Sequence, residues 1–148
     1  MRESEGYNPA QEWFKESLLL ALGDSQDYFE LARQANINGI PEDGLKPLYE
    51  LDDRLCTLLG NMPNAPACEV QVPILRRILV RCDMAIANTW IMLYQQNPDL
   101  PEFREKALVA AKEQIDFLRG LPNYDVAADE GLPEDLRRAY LQLARIFD

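Results

Sequence analysis

The chain has 148 residues, 47 % of them hydrophobic, and a formal net charge of -10. That length suits one domain with a single core, which would remove about 68 to 70 % of the unfolded chain's surface from water. The apolar content is too high for a disordered chain. The absence of histidine excludes a phosphorelay, Ser-His or Cys-His nucleophile pairs, a histidine haem ligand and a mixed His-carboxylate di-iron site.

The punctuation of the chain is helical. Asn8 as N-cap, Pro9 in the first turn and Gln11 as capping-box partner start a helix predicted over 9–22 and closed by Gly23. Asp24 then caps a second, short amphipathic helix through Tyr28, Phe29, Leu31 and Ala32 towards Gly39, followed by the turn chemistry of Pro41-Glu42-Asp43-Gly44. Pro47 fits a first turn, so a third helix is expected over 46–59, with Leu48, Leu51, Leu55, Leu58 and Leu59 inward. Residues 61–72 hold prolines and an alternating Glu69-Val70-Gln71-Val72, which reads as an extended connector with room for a short strand. The fourth and longest helix is expected from Pro73 to Gln96. Asp99 and Glu102 form a capping box around Pro101 for a fifth helix ending at Gly120, and after a loop over 121–132 a last helix runs 133–147. The expected fold is all-α: a single-domain bundle of about five to six helices with a flexible stretch at 1–8, a proline-rich connector and one long central helix.

Cys56, Cys68 and Cys82 are odd in number, widely spaced and without a CxxC pair, so they read as reduced thiols. The polar start and the lack of an apolar run approaching about 20 residues make the cytoplasm the expected compartment, with no membrane contact. Charge is unevenly spread. Residues 1–53 carry 4 basic and 12 acidic side chains, 54–119 carry 8 and 7, and 120–148 carry 3 and 6. The acidic first third suits a basic partner, or a surface past which DNA slides without sticking, and argues against tight nucleic-acid binding.

Few residues suggest chemistry. Glu102, Glu105, Glu113 and Asp116 fall within about 80° of one helix face, which reads as a solvated face because a single helix does not wrap an octahedral ion. Asp52-Asp53 and Glu134-Asp135 are consecutive and diverge on a helix. No glycine pattern forms a phosphate loop. No catalytic residue, cofactor or metal is expected. The basic cluster Arg76, Arg77 and Arg81 is expected to pair with acidic groups of this or a neighbouring chain. In the fourth helix, Ile74, Leu75, Ile78, Leu79, Cys82, Ala85, Ile86, Trp90 and Leu93 make the expected core stripe. A second stripe, Val80, Met84, Ala87 and Ile91, is bordered by Arg77, Arg81 and Asn88 on one side and by Arg76 and Asp83 on the other. It belongs either to a helix packed all round or, with Arg77 and Arg81, to an interface.

The segments Ser17 to Gln34, Asn38 to Leu59, Val72 to Leu93 and Phe103 to Leu121 resemble, in order, the small helical head-tail adaptor proteins of Mu-type bacteriophages. Leu51-Asp52-Asp53-Arg54-Leu55 stands at the family's acidic-hydrophobic helix end, Val72-Pro73 opens the long helix, and Gly120 closes the "A-x-x-x-L" helix. Two departures stand out. Asn61-Met62-Pro63 replaces an aromatic-Leu-Pro-Leu stretch, and Pro122 to Asp148 is additional. The resemblance implies a non-enzymatic component of the neck ring, bound to the portal and handing over to tail or neck proteins, with DNA passing through its lumen; it would move from host cytoplasm to virion. The alternative read from charge is an acidic binding module, such as an immunity protein, antitoxin or inhibitor, that neutralises a basic partner. A Mg²⁺-dependent nucleotide hydrolase using the Glu102 to Asp116 face is the remaining option.

Overall fold

The Asn8 carboxamide accepts hydrogen bonds from the amides of Ala10 (2.9 Å) and Gln11 (3.2 Å) and so caps the first helix, α1, Pro9–Ile37. This computed structural model describes residues 8–120 and 131–147. The two helices expected on either side of Gly23 are one. Phe14, Leu18, Ala21, Ser25, Ala32 and Ala35 are buried along a single face that continues past the glycine, which is itself exposed. Burying that face outweighs the roughly 1 kcal/mol by which an interior glycine disfavours a helix. Asp24 does not cap; its carboxylate pairs with Arg54 at 3.0 Å instead. The predicted stop at Gly39 does occur. Gly39 takes φ +76°, its amide donates to Asn36 O (3.1 Å) and that of Ile40 to Ala35 O (2.9 Å), the two bonds of a Schellman end.

A 3-10 turn, Pro41–Gly44, leads into α2, Leu45–Gly60, whose Leu48, Leu51, Leu55 and Leu58 are buried as expected, with Leu59 partly buried. The connector is not extended. It contains one helical turn, α3 (Pro66–Glu69), with Cys68 buried, and Val72 already belongs to α4, Val72–Gln96. The alternation at 69–72 is thus two half-turns meeting, and no strand occurs among the described residues. Helix α5 spans Pro101–Gly120 and α6 spans Gly131–Phe147, beginning two residues before Pro133. Of the expected loop at 121–132, residues 121–130 lie outside the described residues, as does most of the expected flexible start.

Helix α4 lies at the centre. One side, with Leu75, Leu79, Cys82 and Ile86, closes a core with Phe14, Leu18 and Ala21 of α1 and the four leucines of α2. The other side meets α5 and α6: Val80 packs with Ile115, Leu118 and Ala139, and Ile91 with Ala107, Ala111 and Ile146. Among the described residues the fold is all-helical, and no helix is long and apolar enough to cross a membrane.

Candidate functional site

The second stripe of α4 is core. Val80, Ala87 and Ile91 are buried under α5 and α6. Met84 is half-buried, and Gln142 of α6 donates from Nε2 to its carbonyl (3.3 Å) and to Asn88 Oδ1 (2.7 Å). The polar border that suggested an interface is therefore a seam sealed from inside the chain. Helix α6 lies over this face. Of the expected interface set only Arg77 and Arg81 are exposed. The Arg81 guanidinium sits 4.3 Å from the Phe29 ring centroid, tying α4 to α1, while Arg76 and Arg77 have interactions of their own. The arginine cluster thus works partly through a cation-π contact.

Glu102, Glu105, Glu113 and Asp116 are all exposed on α5. Among the described residues no group of three or more His, Cys, Asp or Glu side chains converges as a metal ion requires. Three of these acids do, however, rim a cleft of about 990 Å³ between α2, α4 and α5. Tyr49, Asp52 and Cys56 line it from α2, Leu79, Asp83, Ile86 and Trp90 from α4, and Glu102, Glu105, Lys106, Glu113, Gln114 and Phe117 are among those from α5. Its volume is that of a small-molecule site, and its walls mix apolar and aromatic surface with a few polar groups.

The centre of the cleft is an acid pair. The Asp83 carboxyl is hydrogen-bonded to Asp52; burial first, then the charge of Asp52, that hydrogen bond and the charge of Glu113 push Asp83 up to about 8. At neutral pH it is a protonated acid donating to its neighbour. Cys56 lies beside the pair, Sγ 3.9 Å from Asp52 Oδ1. Partial desolvation of its sulfur and the charges of Asp52, Asp83 and Asp53 raise the thiol to about 11, so it is not a nucleophile at neutral pH. Across the cleft Trp90 donates from Nε1 to the Tyr49 hydroxyl (2.9 Å), and Lys106 Nζ lies 5.0 Å from the Trp90 ring centroid. In the α5 wall, Gln114 is 1 % exposed, and neither its amide nitrogen nor its oxygen has a hydrogen-bond partner.

Reading the residues in order missed this pair because the two acids sit on different helices: Asp52 read as one of two consecutive, diverging acids and Asp83 as a polar border of the second stripe. The available signal was Asp83 itself, an acid inside the most apolar helix. Comparisons with protein-family models, with curated proteins and with solved structures find no match to this chain.

Proposed function

We propose that the chain is a non-catalytic assembly protein that works by docking other proteins, a head-tail adaptor of the Mu type in contact with portal and tail or neck proteins. The exterior of α1 carries this reading. Trp13, Leu20 and Leu31 recur at one angular position of the helix and are exposed, and Leu19 and Ile37 are exposed about 100° further round it. Leu19, Leu20 and Leu31 keep 69 %, 64 % and 58 % of their surface in water, more apolar exposure than a helix with a fully used core face needs. The order of sequence features from Ser17 to Leu121 supports the family, and the acidic first third suits a conduit that must not hold DNA. A ring subunit needs two complementary surfaces, and the α1 exterior is one candidate.

The test is affinity capture of the tagged chain from phage-infected or prophage-induced cells, with mass spectrometry of what co-purifies. A portal-sized or tail structural protein should be recovered with the natural chain and lost with Leu20→Glu or Leu31→Glu, both exposed and so harmless to folding. The second reading, an acidic module for a basic partner, is favoured by the carboxylates exposed on α1 and α2, among them Glu12, Glu16, Asp27, Glu50 and Asp53. Recovery of one small basic protein, released by salt and with nothing structural beside it, would replace the adaptor reading with that one; recovery of neither would sink both.

A further inference from the structure

We propose that the cleft between α2, α4 and α5 binds an alkylammonium group, a protonated amine on an apolar stem, with its charge against Asp52, Asp83 and Glu113 and its stem against Leu79, Ile86 and Trp90. The acids alone would not make a site. The second observation is Gln114: a buried amide with no partner on either atom is a standing cost, since buried polar groups are almost always hydrogen-bonded. Gln114 lines the same cleft, and an N–H donor entering there would satisfy its Oε1.

The chemistry of the walls selects the ligand. Five carboxyl groups (Asp52, Asp83, Glu102, Glu105, Glu113) face two ammonium groups (Lys106, Lys112) around the cleft, so an anion is disfavoured. A divalent metal is disfavoured as well, because the acids do not converge as its ligands. What remains is an organic cation whose stem uses apolar wall that a hydrated ion would leave idle. The chain supplies its own precedent, since Lys106 already lays an ammonium over the Trp90 ring at the rim.

Binding should be coupled to a proton. At neutral pH Asp83 keeps its proton and donates it to Asp52 in a hydrogen bond, and an incoming cation favours the ionised form of Asp83 and expels that proton. The Cys56 thiol on α2 is held protonated at neutral pH, so Asp52 on α2 and Glu102, Glu105, Lys106, Lys112 and Glu113 on α5 set the background against which Asp83 ionises. Affinity should therefore rise up to about tenfold between about pH 6 and about pH 7 and level off near the Asp83 value.

The test is calorimetric titration of the full chain with cadaverine and, separately, with Nα-acetyl-lysine amide, using pentane-1,5-diol as the uncharged control. Saturable binding of either amine is expected, with proton release seen as a buffer-dependent heat, no binding of the diol, and chemical-shift changes at the Trp90 indole and the Gln114 side-chain amide. Asp83→Asn, which mimics the protonated acid and keeps the fold, should weaken binding about tenfold and abolish the pH dependence. Lys106→Gln should tighten it about threefold by removing a competing cation. Preference for cadaverine would assign the site to a free amine, and preference for the lysine derivative to a side chain of a partner protein. Failure of both amines to bind, equal binding of the diol, or binding that Asp83→Asn leaves unchanged would overturn the proposal.

Discussion

Asp83 is an acid held in its neutral form by burial and by the charge of Asp52, and this has consequences for stability. The unfolded chain gives up that proton near the ordinary value of 3.8, whereas the folded chain keeps it to about 8. The folded state therefore binds the extra proton between those values, and the stability from this group, complete below 3.8, is lost as pH rises towards 8. Asp83→Asn removes the titration, so urea unfolding should show the variant more stable by about 1 to 2 kcal/mol at pH 7, with the difference vanishing in acid. An unchanged slope of stability against pH would mean that Asp83 ionises normally. The same acids protect Cys56. With its thiol raised from 9.0 to about 11, native alkylation by iodoacetamide near neutral pH should run roughly a hundredfold slower than for a free thiol and speed up in Asp52→Asn. The sequence marks all three cysteines as reduced thiols; Cys56 is held protonated first by partial desolvation of its sulfur and then by the neighbouring acids, while Cys68 and Cys82 are buried.

At the level of elements, most helices were legible because capping and proline signals are local: Asn8, Gly39 and Pro47 act where their chemistry says they should. The failures came where a tertiary contact overrode a local signal. Gly23 and Gly44 show the difference. Gly23 lies in helical backbone with nothing within 4 Å of where a Cβ would stand, so it is an exposed helix glycine kept against propensity. Gly23→Ala should raise stability by about 0.5 to 1 kcal/mol. At Gly44 a Cβ would come within 2.9 Å of Ala32 Cα and 3.2 Å of Ala32 Cβ, where the turn packs on α1. The new methyl would press on the Ala32 backbone and its Cβ, neither of which has a flexible end to give way, so Gly44→Ala should cost about 1 to 3 kcal/mol. Thermal melts of the pair should move in opposite directions; a destabilising Gly23→Ala would indicate that α1 breaks there in solution, as its sequence alone suggests.

For the whole molecule, the informative fact is that α4 is buried on two sides, a pattern the sequence displays without saying what covers the second. An apolar stripe reads the same whether α6 or another molecule lies on it, and only the path of the chain beyond Gly120 decides. Here α6 brings Ala139 and Ile146 to it and seals the edge with Gln142, so Ile91 is fully buried among Ala107, Ala111 and Ile146. A glutamate there would be an unpaired charge in a dry core, whereas the same change at Leu20 stays in water. Ile91→Glu should therefore lose cooperative unfolding or more than about 4 kcal/mol of stability, while Leu20→Glu stays within about 0.5 kcal/mol of the natural chain and fails only in partner capture. The contrast separates core from docking surface in one experiment. If Ile91→Glu instead stays folded and monomeric with its helix content intact, α6 does not hold α4 in solution, and the stripe of Val80, Met84, Ala87 and Ile91 returns as a surface open to a partner.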